Sequence, residues 1–252
     1  MISTREGRIR LASGPMKTIA FVEDDEILRE NFAELLRANG FSVVPFSTAE
    51  EALLGIKDSM PDLALLDIGL GRDADAGFAL CLELRSLSQT LPIIFFTSHD
   101  SEVDRISGLR LGADDYVTKE ASLDYLIVRI KALLQRVETL LSGSNLPHNK
   151  MVRGDLTLDL DELRAFWKGS PLALTITHFW IVHALVEHVG HVKTHDQLMR
   201  AASIRVEPNT VAAHVKRIRQ IFVQIDPIFA CIGTERGIGY RWISPQAETS
   251  EV

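Results

Sequence analysis

Five short runs of nearly uninterrupted apolar residues punctuate the first half of the chain, at 18–22, 41–45, 63–66, 93–96 and 116–118. Runs of this length without polar alternation predict strands buried on both faces. Between them lie amphipathic stretches. Ile27, Phe32, Leu35 and Leu36 share one helical face, and Thr48 with Glu51 reads as a capping box opening a helix over 52–56. Strand–helix alternation predicts a parallel sheet with helices on both sides. Right-handed crossovers then bring the carboxyl ends of the strands to one edge, where ligands bind.

The pattern changes after 142–149, a Ser-Gly-Ser-Asn-Leu-Pro-His-Asn stretch of linker composition. Short strand-like pieces follow at 155–160, 163–167 and 171–174. A helix capped by Thr177 is expected over 178–188, with further helical stretches at 194–202 and 207–224. Two strand-like segments, 228–234 and 240–243, flank Gly237 and Gly239. The boundaries implied are a disordered leader (1–16), a first domain (17–138), a linker (139–150), a second domain (151–245) and a disordered tail (246–252).

Charge sharpens this division. Residues 17–138 hold 12 Lys+Arg against 22 Asp+Glu, a net −10; residues 151–245 hold 11 against 9, a net +2, with six of the eight histidines. An acidic half joined to a mildly basic half suggests two jobs, one of them on nucleic acid. No window is apolar enough to span a membrane. The two cysteines, Cys81 and Cys231, fall in different domains without metal-ligand spacing, which fits free thiols in a reducing cytoplasm.

Three carboxylates sit at ends of the expected strands: Glu23 and Asp24 after the first, Asp67 after the third. Like charges about 4 Å apart repel by about 4 kcal/mol at an effective dielectric of about 20. Such a cluster calls for a hard cation, and all-oxygen donors in an open site suit Mg²⁺. Thr97 ends the fourth strand and Lys119 follows the fifth. Carboxylates, cation, hydroxyl and ammonium on one edge make a phosphoryl-transfer site with Asp67 as nucleophile.

The segments Val22-Glu23-Asp24-Asp25, Pro61-Asp62 through Asp67, Leu91-Pro92 through Thr97-Ser98 and Gly112-Ala113-Asp114-Asp115-Tyr116-Val117-Thr118-Lys119 resemble the receiver domain of response regulators. The resemblance implies a flavodoxin-like doubly wound (βα)5 fold, with Asp67 taking a phosphoryl group from a sensor histidine kinase. It implies that Asp24, Asp67 and the Gly69 carbonyl hold Mg²⁺ directly and Glu23 through water. It also implies that Thr97 and Lys119 grip the phosphoryl oxygens while Tyr116 is the aromatic switch. Two features depart from the family. The loop after Asp67 carries Gly71 for the usual Pro and two extra residues before Gly77, and Glu120 follows Lys119 where Pro is usual. A cis bond there would cost about 2.5–4 kcal/mol without Pro, so a trans peptide or local strain is expected. The loop and the Lys-Glu pair also resemble regulators linked to proteobacterial dedicated sortase systems. Asp104, Arg105, Asp114, Asp115 and Arg129 match the intermolecular salt-bridge set of the winged-helix regulators, notably Asp115 with Arg129, which implies a homodimer on phosphorylation.

In the second half, Val211, Val215, Ile218 and Phe222 form a buried helical stripe, leaving Thr210, His214, Lys216, Arg217 and Arg219 mainly off it. A basic helix fits the major groove. Residues 174–179, 194–198 and Thr234-Glu235-Arg236-Gly237-Ile238-Gly239-Tyr240-Arg241-Trp242 resemble the winged-helix effectors of the OmpR/PhoB-like family. That implies an α+β winged-helix domain on double-stranded DNA, with Arg236 entering the minor groove. The short 201–208 loop lacks the usual Trp, which bears on any RNA polymerase contact. His178, His183, His188, His191 and His195 lack consistent ligand spacing. Two rivals remain. An aspartate-nucleophile phosphatase would need a second acid where this chain has Gly69; a constitutive DNA-binding module with a vestigial receiver would follow from Glu120 and the altered loop.

Overall fold

The computed structural model describes residues 16–141, 150–202 and 208–244. The expected leader, most of the linker, the tail and the centre of the 201–208 loop lie outside them. In the first half, β1 (Thr18–Val22), β2 (Ser42–Phe46), β3 (Leu63–Leu66), β4 (Ile93–Thr97) and β5 (Asp115–Thr118) form one parallel sheet in the order β2-β1-β3-β4-β5. Helices α1 (Glu26–Ala38), α2 (Ala49–Asp58), α3 (Ala76–Leu87), α4 (Glu102–Leu111) and α5 (Leu123–Leu141) connect and extend it.

The runs are continuous because alternate residues enter two separate cores. Phe21, Leu63, Leu65, Ile94 and Phe96 pack with α1 and α5. Ala20, Val22, Ala64, Leu66 and Phe95 pack with α2 and α3. The face expected of α1 is only partly right, since Leu36 is buried but Ile27 and Leu35 are exposed. Thr48 does cap α2 through the Glu51 amide. The Glu51 carboxylate, however, turns to the amide and hydroxyl of Ser47.

The second half opens with β6 (Lys150–Arg153), β7 (Leu156–Asp159), β8 (Arg164–Trp167) and β9 (Ser170–Leu172), an antiparallel sheet in chain order. Three helices follow: α6 (Ile176–Glu187), α7 (His195–Ala201) and α8 (Pro208–Ile225). A three-stranded sheet of β10 (Lys193–Thr194), β12 (Gly239–Trp242) and β11 (Ile232–Glu235) completes the unit. Trp167, Phe222, Phe229 and Trp242 meet edge-on or stacked at its centre. Val211, Val215, Ile218 and Phe222 of α8 are fully buried, as their spacing predicts.

Helix α6 begins two residues earlier than expected. Thr175 is its cap, accepting from the His178 amide. Thr177 instead reaches the first unit: its amide donates to Asp114 Oδ1 (3.1 Å) and its hydroxyl to the Asp114 carbonyl (3.4 Å). The two units also meet where α4 packs along α8.

Candidate functional site

The carboxyl ends of β1, β3, β4 and β5 converge as the topology requires. Donor oxygens of Glu23, Asp24 and Asp67 lie within 4.8 Å of one another. Lys119 enters from beyond β5 and bridges two of them, with Nζ 2.6 Å from Asp67 Oδ2 and 2.5 Å from Glu23 Oε2. Burial works against the ammonium, but its bonds to Asp67 and Glu23 outweigh this and raise its pKa. Glu23 is raised too, by burial first, with Lys119 opposing and the Asp67 charge adding. One protein cation therefore serves three carboxylates. That charge excess and the all-oxygen donor set fit a hard divalent cation.

Local backbone aims these groups. Asp67 Oδ1 accepts from the Ile68 amide (2.7 Å), leaving Oδ2 toward Lys119. Gly77 opens α3 against the nucleophile's own backbone, where a Cβ would sit 2.0 Å from the Asp67 carbonyl oxygen, so only glycine fits. The insertion after Asp67 is a tight turn: Leu70 and Asp73 exchange backbone hydrogen bonds (3.1 and 3.4 Å) around Gly71, whose φ is +69°. The Gly71 amide donates to Asp24 Oδ2 (3.0 Å). The additional residues thus hold a carboxylate of the cluster. Gly69 lies half-buried beside it. The Lys119–Glu120 peptide is trans, like every peptide bond among the described residues.

Thr97 is fully buried and its Oγ1 accepts from the His99 amide (3.2 Å). Tyr116 packs inward, and its hydroxyl donates to the His99 carbonyl (2.7 Å). The His99 imidazole Nδ1 stands 3.5 Å from Asp104 of α4, and Arg105 lies over the Tyr116 ring. His99 therefore joins the pocket to α4, a role that no sequence motif signalled.

The residues expected at an intermolecular face are placed differently. Asp115 and Arg129 are 1% and 3% exposed and pair within the chain, Nη2 to Oδ2 at 2.5 Å. Asp114 is fully buried. Its Oδ2 accepts from Arg85 Nη2 (2.7 Å) and the Ile93 amide (3.0 Å), while Oδ1 takes the Thr177 amide. Arg85 is spent on this site as well, donating Nε to the Gly112 carbonyl (2.7 Å) and Nη1 to the Leu91 carbonyl. A buried arginine in the apolar stripe of α3 was visible in the sequence, but its partner was not.

The expected DNA-contact residues divide. Lys216 and Arg236 are exposed. Arg219 donates to the Ile232 carbonyl (2.7 Å) and Thr234 Oγ1 (2.8 Å), which ties α8 to the β11–β12 hairpin. Arg217 is half-buried and lines a cavity between the units. Thr210 and His214 are 3% and 0% exposed, so this arrangement does not present them to a ligand. The His214 ring meets that of His178 edge-on, with centroids 5.3 Å apart. Burial lowers both pKa values, that of His214 to about 4 despite the opposing Asp114 charge. No helix among the described residues is long and apolar enough to cross a membrane.

Comparison with known proteins agrees with this geometry. Residues 19–131 match the response regulator receiver domain, and residues 169–242 match the family "Transcriptional regulatory protein, C terminal". The transcriptional regulatory protein CreB of Escherichia coli is 33% identical over 89% of this chain and 96% of its own. The alkaline phosphatase synthesis transcriptional regulatory protein PhoP of Bacillus subtilis is 33% identical over 91% and 98%. Among solved structures, a RitR mutant superposes with a TM-score of 0.72 at 19% identity, covering 91% of this chain and all of that one, a likeness of fold. The chain thus belongs to the OmpR/PhoB-type response regulators, a receiver joined to a DNA-binding domain in phosphorelay control of transcription.

Proposed function

We propose that Asp67 is the phosphoacceptor of a domain spanning 17–138 and that its phosphorylation controls DNA binding by a domain spanning 151–245. One observation carries the reading: Glu23, Asp24, Asp67 and Lys119 meet at one edge of the sheet although they are far apart in sequence. Asp67 Oδ2 attacks the phosphorus of a phosphohistidine on a sensor kinase. The new P–O bond forms as the P–N bond breaks, and the imidazole leaves with a proton from solvent. Glu23, Asp24, Asp67 and the Gly69 carbonyl would hold Mg²⁺, which supplies positive charge against the phosphoryl oxygens. Lys119 moves its ammonium from Glu23 to a phosphoryl oxygen, and the Thr97 hydroxyl donates to another. Thr97 then releases the His99 amide, which loosens Tyr116 and the Asp104 end of α4.

The output surface comprises Lys216, Arg217, Arg219 and Arg236, with Thr210 and His214 joining once α8 is uncovered. Duplex DNA is the ligand. A homodimer would use the α4, β5 and α5 face, where Asp104, Arg105, Asp114, Asp115 and Arg129 cluster. Asp67→Asn tests the acceptor. With acetyl phosphate and Mg²⁺ the wild-type chain is expected to gain one phosphoryl group, about 80 Da by intact mass, and the variant to gain nothing. Undiminished incorporation in the variant overturns the assignment.

A further inference from the structure

We propose that the receiver surface formed by α4, the end of α3 and Asp114 is an inhibitory docking site for the chain's own recognition helix, α8. This rests on the DNA-binding reading above and names its regulation. Thr210, Ala213, His214, Arg217 and Ile221 step by three or four along α8 and so share a face. Thr210, Ala213, His214 and Ile221 are buried and Arg217 is half-buried, while Lys216 and Gln220 on another side are exposed. Receiver helix α4 packs along α8. A cavity of about 230 Å³ is all that separates Arg217 and Ile221 from Leu82, Arg85 and Leu111 at this contact.

A helix with its side chains is about 10–12 Å across, and the major groove is about 12 Å wide. The groove cannot admit α8 while α4 lies against it. Docking and base-edge contact by this face therefore exclude one another.

Asp114 is the clasp. Its carboxylate is fixed inside the receiver by Arg85 and the Ile93 amide, and its remaining oxygen accepts the Thr177 amide in the first turn of α6. That amide is one of the donors a helix start leaves unsatisfied, and the negative charge suits the positive end of the helix. The contact is tightly closed: His178 and His214 lie within it, fully buried, with no hydrogen-bond partner on any ring nitrogen among the described residues. Asp114 is also one of the residues assigned above to a dimer face, so docking within one chain and pairing between chains draw on the same carboxylate. His99 connects the site to the phosphoacceptor pocket, since it contacts both Thr97 and Asp104 of α4.

The test uses the full-length, unphosphorylated chain and a fluorescent random-sequence duplex at low, fixed salt, read by anisotropy. Two receiver substitutions open the contact from different sides: Asp114→Asn weakens the clasp, and Leu111→Glu inserts a charge into the cavity wall. The second adds negative charge, which by itself opposes DNA binding. Both variants are expected to bind about tenfold more tightly than wild type. Amide hydrogen exchange of α8 in the wild-type chain is expected to accelerate on adding beryllofluoride and Mg²⁺, with β6 to β9 unchanged, a readout that needs no variant to fold. Equal duplex affinity of wild type and Leu111→Glu, or exchange in α8 indifferent to beryllofluoride, overturns the docking proposal. Failure of every form to bind duplex overturns instead the DNA-binding reading beneath it.

Discussion

Two clusters in this molecule hold a carboxylate against a cation, and they differ in what they leave undone. At the phosphoacceptor edge, Lys119 alone faces Glu23, Asp24 and Asp67, and the site is short of positive charge. At the domain contact, Asp114 is matched by Arg85, the Ile93 amide and the Thr177 amide, and nothing is missing. An undersupplied cluster recruits ligands, whereas a saturated buried one fixes structure. The first is built for exchange and the second for holding, and α4 lies between them.

The largest effect is expected from breaking the saturated cluster. Arg85→Met leaves the Asp114 carboxylate buried without its cation, which costs about 3–5 kcal/mol. Urea unfolding should show that loss, and a change under about 1 kcal/mol, the ordinary effect of a single substitution, would mean that the pair carries little.

Acidification acts on the same contact. The buried His214 imidazole is pushed down to about 4 from an ordinary value of about 6.5. Arg85, Arg217 and His214 itself surround His178, and Asp114 faces His214 from the receiver. Between those pH values the unfolded chain binds a proton that the native form refuses, so stability falls as pH drops through this window. At about 1.4 kcal/mol per unit, His214 accounts for about 3 kcal/mol. His214→Leu should flatten that part of the stability–pH curve, and an unchanged slope would remove His214 from the account.

The undersupplied cluster responds in the other direction. Lys119→Gln removes the one ammonium, so Mg²⁺ should bind about tenfold more tightly, about 1.4 kcal/mol, by calorimetric titration, while phosphoryl incorporation slows. Weaker Mg²⁺ binding would contradict the charge deficit. Smallest is Gly71→Ala. Nothing stands within 4 Å of the added Cβ, so only the left-handed backbone is penalised, by about 1 kcal/mol. Its effect should appear in Mg²⁺ affinity through Asp24, whose carboxylate the Gly71 amide holds.

Much of the fold is legible in the chain because its periodicities are strong. All five parallel strands lie within a residue of their apolar runs, since strands buried on both faces tolerate no polar interruption. The edge strand β6 was not legible: Lys150, Val152 and Arg153 are exposed, and its backbone pairing with β7 leaves no hydrophobic signature. Thr175 and Thr177 are two threonines at one helix start, and local sequence cannot say which caps it. The structure gives the cap to Thr175 because Asp114, 63 positions from Thr177 in sequence, takes the Thr177 amide. The five groups of the phosphoacceptor pocket could be named in advance because strand order and handedness alone bring their positions to one edge.

The amino-acid sequence by itself determined the two-part architecture, the acidic pocket and the basic recognition helix, because each is written in local periodicity or at the ends of strands. Only the tertiary structure decided that Asp115 and Arg129 close on each other within the chain, that Thr210 and His214 turn inward, and that Asp114 binds across the domain contact. These depend on how one finished surface packs against another. Long-range packing is set by the shape and charge of whole faces, which no run of neighbouring residues encodes.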